Sequence, residues 1–192
     1  MELSEGVIIN CVNKIVSDNN IVSIIIPEES FGEGFWAKCK KLEKSFYVGV
    51  DWMEAARFFS KDAFQKTGGY NEGMISGEDW DLSQRVEKIG RVDRVNDFIF
   101  HNEGKLVLSK ILKKKFYYAG KFLEYKESNL NTEKIAKQTG IIVRYKLFFS
   151  QPKKLFKNPL VGLGMLFMKT CEFGFGGVKY FFSSIKNNLI IK

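Results

Sequence analysis

The sequence predicts an α/β protein: a mixed β-sheet flanked by helices, followed by a basic helical extension. Three observations lead there. Ile21-Val22-Ser23-Ile24-Ile25-Ile26 is a nearly continuous β-branched run stopped by Pro27, the pattern of a strand buried on both faces in a parallel or mixed sheet. Segments with helical spacing alternate with short apolar runs through the first half of the chain. Near Gly104 the texture then changes. Residues 1–103 hold 12 Lys+Arg against 18 Asp+Glu, a net −6, whereas residues 104–192 hold 18 against 4, a net +14. Two parts are therefore expected, 1–104 and 105–192.

Taken in order, Val7 to Val16 has Ile8, Ile9, Val12 and Ile15 at helical positions. The β-branched run follows, and Glu28 to Gly34 reads as a loop. Phe35 to Tyr47 is a helix, with Trp36, Cys39, Leu42 and Phe46 near helical spacing. Ala55 to Phe59 is a short strand. Ser60 caps a helix over Lys61 to Lys66, and Gly68-Gly69 ends it. Asp79 or Asp81 caps the next helix, which carries Leu82, Val86 and Ile89 and closes at Gly90. Val92 to Val95 and Phe98 to His101 are two further strands. Leu106 to Tyr118 is a helix with Lys110, Lys113, Lys114 and Lys115 on one side, and Thr132 caps a short helix ending at Gly140.

With 192 residues, 45% hydrophobic and 27% charged, the chain is long enough for a full core and is not disordered. Cys11, Cys39 and Cys171 are odd in number and form no C-x-x-C pair, which argues against a disulfide framework or a zinc site. The start, M-E-L-S-E-G, is acidic and lacks the character of a secretory signal. The longest uncharged run in the tail, Asn158 to Met168, is short of the ~20 apolar residues of a membrane span. Lysines interleaved with Phe148, Phe149, Leu155, Phe156, Leu163, Leu166, Phe167, Phe173, Phe175, Tyr180, Phe181 and Phe182 fit helices lying in a bilayer interface, or helices packed on the rest of the domain. The basic tail faces something anionic. Nucleic acid is the weakest partner, because no recognition motif is present and the charge is interleaved with too much apolar surface.

The chemistry concentrates between Arg57 and His101. Two glycine turns frame an acidic knot, Glu78-Asp79-Trp80-Asp81, at the start of an amphipathic helix, and the lone histidine follows in F-I-F-H. Clustered carboxylates at a loop-to-helix junction suit proton abstraction from a hydroxyl.

The segment R-F-F-S-K-D-A-F-Q-K-T-G-G-Y-N-E-G-M-I-S-G-E-D-W-D-L-S-Q-R resembles the acceptor-side half of family 2 glycosyltransferases of the GT-A fold. There a G-G-[FY]-[DN]-E turn leads to a loop with an E-D pair and then a helix with D-L and R. The resemblance covers Met1 to about Tyr125 and, more loosely, the tail. It implies a partial GT-A (nucleotide-diphospho-sugar transferase-like) sheet. It also implies inverting transfer from a nucleotide-sugar or lipid-linked donor to a glycan or lipid-linked hydroxyl acceptor, at the cytoplasmic face of the cell membrane. The family's D-x-D motif, which holds Mg²⁺ or Mn²⁺ on the donor diphosphate, is missing, and Asp79-Trp80-Asp81 lies too late to replace it. Met1-Glu2-Leu3-Ser4 is similar to the residues that follow D-x-D. The chain is thus expected to begin just after those aspartates, with the nucleotide-binding part supplied upstream or by a separate polypeptide. The alternative is a catalytically inactive acceptor- or membrane-binding module. An incomplete core also leads us to expect an exposed sheet edge and apolar face.

By the same resemblance Asp79 matches the base, and Glu78 orients it or binds an acceptor hydroxyl. Asp81 is read as a helix cap. Trp80 offers a sugar platform or is a core residue. Arg57 reaches the donor diphosphate or pairs with an acid such as Glu54 or Asp79. His101 completes a metal shell or ends a strand as a hydrogen-bonded residue. Asn102-Glu103-Gly104 forms a loop over the donor, and Lys105 touches phosphate. Lys113-Lys114-Lys115-Phe116-Tyr117-Tyr118 meets lipid phosphates or is a solvated helix face.

Overall fold

A computed structural model describes residues 1–119, 121 and 132–190, the last of these, 180–190, as backbone only. The stretch of the resemblance at 120 and 122–125, and the side chains of Tyr180, Phe181 and Phe182, lie outside the described residues. The α/β class holds, but the described strands form two three-stranded mixed sheets. In one, β2 (Ile21–Ile25) lies between β4 (Ala56–Phe59), antiparallel to it, and β5 (Arg91–Arg94), parallel to it. In the other, β6 (Ile99–Lys105) lies between β1 (Glu2–Leu3), antiparallel, and β3 (Glu28–Glu33), parallel.

The β-branched run is buried on two sides. Helix α1 (Val7–Ser17) covers one face, where Val7 and Cys11 pack with Ile21, Ile24, Ile26 and Val95. Helices α3 (Lys61–Lys66) and α4 (Glu78–Val86) cover the other, where Ala63, Leu82 and Val86 meet Val22 and Phe59. Ser60 caps α3 as expected, accepting from the Ala63 N–H at 3.2 Å. Burial pushes the thiols of Cys11 and Cys39 up to about 11, which leaves both as inert core residues.

Two expected loops are strands. Glu28 to Glu33 is β3, and Asn102-Glu103-Gly104 belongs to β6 rather than to a loop over a donor. Neither segment has apolar alternation. Each is a strand because the other pairs with it, from Glu28 opposite Ile99 to Glu33 opposite Lys105. The pairing needs glycine: a Cβ on Gly32 would lie 2.6 Å from the Gly104 carbonyl oxygen, closer than real contacts allow.

The outer face of α1 carries Ile8, Ile9, Val12 and Val16, all exposed. Ile8, Ile9 and Val12, together with Leu3, line a shallow apolar groove of about 370 Å³.

The basic extension folds back on the front of the chain. Helix α2 (Phe35–Ser45) contributes Cys39 to a core that continues through Phe46 and Tyr47. The extension completes it with Phe148 of α7 (Ile141–Phe149), Leu155 of α8 (Pro152–Leu155), and Met165 and Met168 of α9 (Pro159–Ile190). Helix α5 (Leu108–Ala119) lies against the same cluster through Leu108 and Ile111, and α6 (Thr132–Thr139) precedes α7. A Cβ on Gly164 would lie 2.3 Å from the Phe35 ring, so α9 approaches α2 as closely as a glycine permits.

Inside this contact lies a closed ring of charge. Lys169 Nζ is 2.6 Å from Glu43 Oε1 and 2.6 Å from Glu172 Oε2. Lys40 Nζ is 2.8 Å from Glu43 Oε2 and 3.3 Å from Glu172 Oε1. The Tyr47 hydroxyl donates to Glu43 at 2.6 Å, and Arg144 donates to that hydroxyl at 2.7 Å. Burial opposes the charge on Glu43, but Lys169 and Lys40 outweigh it and hold the carboxyl well below its ordinary 4.5. Burial likewise opposes the charge on Lys169, and Glu43 and Glu172 outweigh it, holding the ammonium above its ordinary 10.5.

Breaking a buried pair leaves an uncompensated charge, so Lys169→Met is expected to cost about 3–5 kcal/mol. The double variant Glu43→Gln/Lys169→Met is expected to recover part of that loss. Urea unfolding of the four proteins measures the coupling; strictly additive costs would show that the ring couples nothing.

Candidate functional site

The acidic knot is the first turn of α4. Its N-cap is Gly77, in the left-handed region at φ 89, and no side chain caps the helix. Neither Asp79 nor Asp81 is the cap, because both lie within the helix. Three acids in the first turn, Glu78, Asp79 and Asp81, face the positive end of the helix dipole.

Asp81 is buried and takes two hydrogen bonds on Oδ2 from Arg85, at 2.9 Å and 2.7 Å. The same guanidinium donates to the carbonyl oxygens of Thr67 and Gly69, the latter at 2.7 Å. This fork explains why the glycine turn and the acidic helix travel together in the sequence: Arg85 and Asp81 fasten one to the other. Asp81 is thus a fastener and no helix cap.

Asp79 points the other way. Its side chain is 27% exposed and forms an ion pair with Arg57. That pair follows from the packing of α4 on β4, where the Ala56 N–H donates to Ser83 Oγ at 3.2 Å, leaving Arg57 beside the first turn of α4. Arg57 also lies 3.8 Å from Glu28 Oε2 on β3. Glu28 Oε1 is 3.4 Å from His101 Nδ1 and accepts from Lys44 Nζ at 3.2 Å. Burial opposes the charge on Glu28, but Lys44, His101 and Arg57 outweigh it and lower its carboxyl from the ordinary 4.5.

The structure therefore joins three of the sequence-predicted residues, with Glu28, in one connected series, Asp79, Arg57, Glu28 and His101. Glu28 was missed because its segment read as a loop. Tyr70 was missed as well. Partial burial, and then the charges of Asp79 and Glu78, raise its phenol above the ordinary 10, against the pull of Arg57, so it borders the same carboxylates. Glu78 is half-buried.

Two predicted residues stand apart. The Trp80 indole donates to the Met53 carbonyl oxygen at 3.0 Å and packs with Met74 and Ile135. Lys105 is exposed at the far end of β6, four residues past His101, roughly 13 Å along the strand.

The residues described do not by themselves make a divalent-cation site. Among them no group of three or more His, Cys, Asp or Glu side chains is placed to hold a metal. His101 and Glu28 offer one nitrogen and one carboxylate, and Lys44 and Arg57 already neutralise that carboxylate. Mg²⁺ and Mn²⁺ prefer about six mostly oxygen ligands.

Compared with known proteins, the chain matches no family model, no curated protein and no solved structure. Among the described residues no helix is long and apolar enough to cross a membrane.

Glu28→Gln would leave Lys44, Arg57 and His101 without their shared carboxylate. It is expected to destabilise the protein by about 1–2 kcal/mol at neutral pH. The folded carboxyl is lowered below its unfolded value, so its contribution is present above pH 4.5 and is lost as pH falls through the folded pKa. Urea unfolding of both proteins from pH 7 downward is expected to show the difference shrinking below pH 4.5. A difference independent of pH would mean that Glu28 acts by packing alone.

Proposed function

We propose that this chain is the acceptor-side part of an inverting glycosyltransferase, working at the cytoplasmic face of a membrane, with Asp79 as the base that takes the acceptor hydroxyl proton. The observation that carries the reading is the position of Asp79. Among the acids of the knot it is the one paired with Arg57, which also neighbours Glu28, the partner of His101. A hydroxyl reaching Asp79 meets a carboxylate held in one orientation by Arg57, and that carboxylate serves as a base once the contact loosens.

In this reading Arg57 has two tasks. It orients Asp79, and its N–H donors not taken by Asp79 would serve a phosphate oxygen of a nucleotide-sugar or lipid-linked donor. Glu78 and Tyr70 border the acceptor. Were a Mg²⁺ or Mn²⁺ ion used, His101 would be this chain's own candidate ligand, and the charge of the ion would offset that of a leaving diphosphate. Trp80 supports α4 from beneath, and Lys105 is too far along β6 to touch the same phosphate.

One observation favours a second reading, a non-catalytic acceptor- or membrane-binding module: Arg57 occupies the carboxylate that should be free to accept a proton.

The test separates the two. The protein is isolated from its own cells with any polypeptide that accompanies it, and given a panel of nucleotide-sugars with Mg²⁺ or Mn²⁺. It is expected to release nucleoside diphosphate when a hydroxyl acceptor is present. Asp79→Asn is expected to slow that release by about 10²–10⁴-fold. Release unchanged in Asp79→Asn would remove Asp79 from the chemistry, and no release with any donor would favour the module.

A further inference from the structure

Helix α9 is turned inside out for a helix in water. Its stretch from 159 to 178 contains two charged residues, Lys169 and Glu172, and both are buried, at 4% and 3% exposure. The opposite face is apolar and open: Leu160, Leu163, Phe167, Phe175 and Val178 are each more than half exposed. At 3.6 residues per turn these five fall within about 120° of one another and run about 27 Å along the helix. A helix on a water-soluble surface sorts its residues the other way.

The apolar surface widens beyond the helix. The Phe167 ring lies 6.4 Å from Trp36, which meets the half-exposed Phe35 edge-on at 5.0 Å. On α7, the Tyr145 hydroxyl is 2.5 Å from Thr170 Oγ1 of α9, and its ring stacks on the exposed Phe149 at 6.5 Å. Ile142, about one turn earlier, is 72% exposed. Exposed lysines lie on α7 and on the segment leading into α9: Lys146 on α7, Lys153 on α8, and Lys157 just before α9.

A single occupant matches both features. A second copy of the chain would bring the same +14 tail against its own kind, which opposes pairing through this face. A bilayer containing anionic lipid offers hydrocarbon beneath a layer of negative phosphate, in that order from the surface inward. We propose that the outward face of α9, with Phe35, Ile142 and Phe149 beside it, beds in the plane of such a bilayer while Lys146, Lys153 and Lys157 meet lipid phosphates. The charges that would forbid this insertion are the two that the fold has turned inward. This gives a residue-level surface to the membrane setting proposed above, and it uses no catalytic residue.

Flotation of the full chain with vesicles tests it. Binding is expected to vesicles of phosphatidylcholine mixed with phosphatidylglycerol, and weakly or not at all to phosphatidylcholine alone. Leu160→Gln/Leu163→Gln removes exposed side chains, and so should leave the urea midpoint unchanged while lowering vesicle binding by about tenfold or more. Lys153→Gln/Lys157→Gln is expected to weaken binding at low salt and to match the wild type at high salt. Asp79→Asn is expected to bind vesicles as the wild type does, so failure of the sugar-transfer reading leaves this result standing. Vesicle binding indifferent to Leu160→Gln/Leu163→Gln would overturn the proposal. So would a wild type that ignores anionic vesicles and forms a dimer that this double variant dissociates, which would make the face a homodimer interface.

Discussion

The ring of Lys40, Glu43, Lys169 and Glu172 is the constraint on which the other packing depends. Each carboxylate oxygen of the two glutamates meets one lysine, so no charge in the ring lacks a partner. Taking four ions out of water is costly, and an apolar substitute of the same shape is often as stable. Geometry is what the ring supplies. Hydrophobic contacts between α2 and α9 tolerate sliding and rotation, whereas a closed ring of ion pairs is satisfied at one register only. Gly164 against the Phe35 ring sets the separation of the two helices, and the ring sets their rotation. Once Lys169 and Glu172 must face α2, the remaining side of α9 is what the sequence leaves for the surface, and it is apolar.

Helix α2 carries this order to the candidate site. Glu43 and Lys44 are neighbours on its last turn. Glu43 turns to α9, and Lys44 turns to Glu28 on β3. One residue further from the ring, Glu28 holds His101 and reaches Arg57, which holds Asp79. The basic extension is therefore part of what positions the acidic front, although the two differ so sharply in charge. Lys154 adds to the same contact, donating to the Ser45 carbonyl oxygen at 2.8 Å from α8.

Much of this was legible in the sequence where the signal is local. The β-branched run, the Ser60 cap and the helical spacing of α1 and α2 depend on neighbours within a few residues, and each element forms where the pattern places it. β3 was not legible, because E-E-S-F-G-E has no strand pattern and is a strand only through β6, some seventy residues away. The same gap hid Glu28, so a pairing of Arg57 with Asp79 was foreseeable but its connection to His101 was not. Asp81 and Asp79 looked alike in sequence. Only the positions of Arg85 and Arg57 separate the buried fastener from the open carboxylate. The inversion of α9 was invisible for a related reason: a helical wheel shows which residues share a face but not which face the fold will cover.

Arg57 decides how far the geometry supports base chemistry at Asp79. A carboxylate engaged by a guanidinium has fewer lone pairs free for an incoming hydroxyl while the charge-assisted contact is intact. Arg57, however, is held from two sides, tightly by Asp79 and more loosely by Glu28 at 3.8 Å. Glu28 is itself already engaged by Lys44, which donates to it at 3.2 Å, so it attracts Arg57 less than Asp79 does. In the proposed reading, an anion entering beside Arg57 would change that balance. A phosphate oxygen would compete for the guanidinium, and each N–H it took would loosen the hold on Asp79. The carboxylate would then become available when the anion is bound and stay engaged when it is not, which would link the proton acceptor to the presence of the group it acts beside.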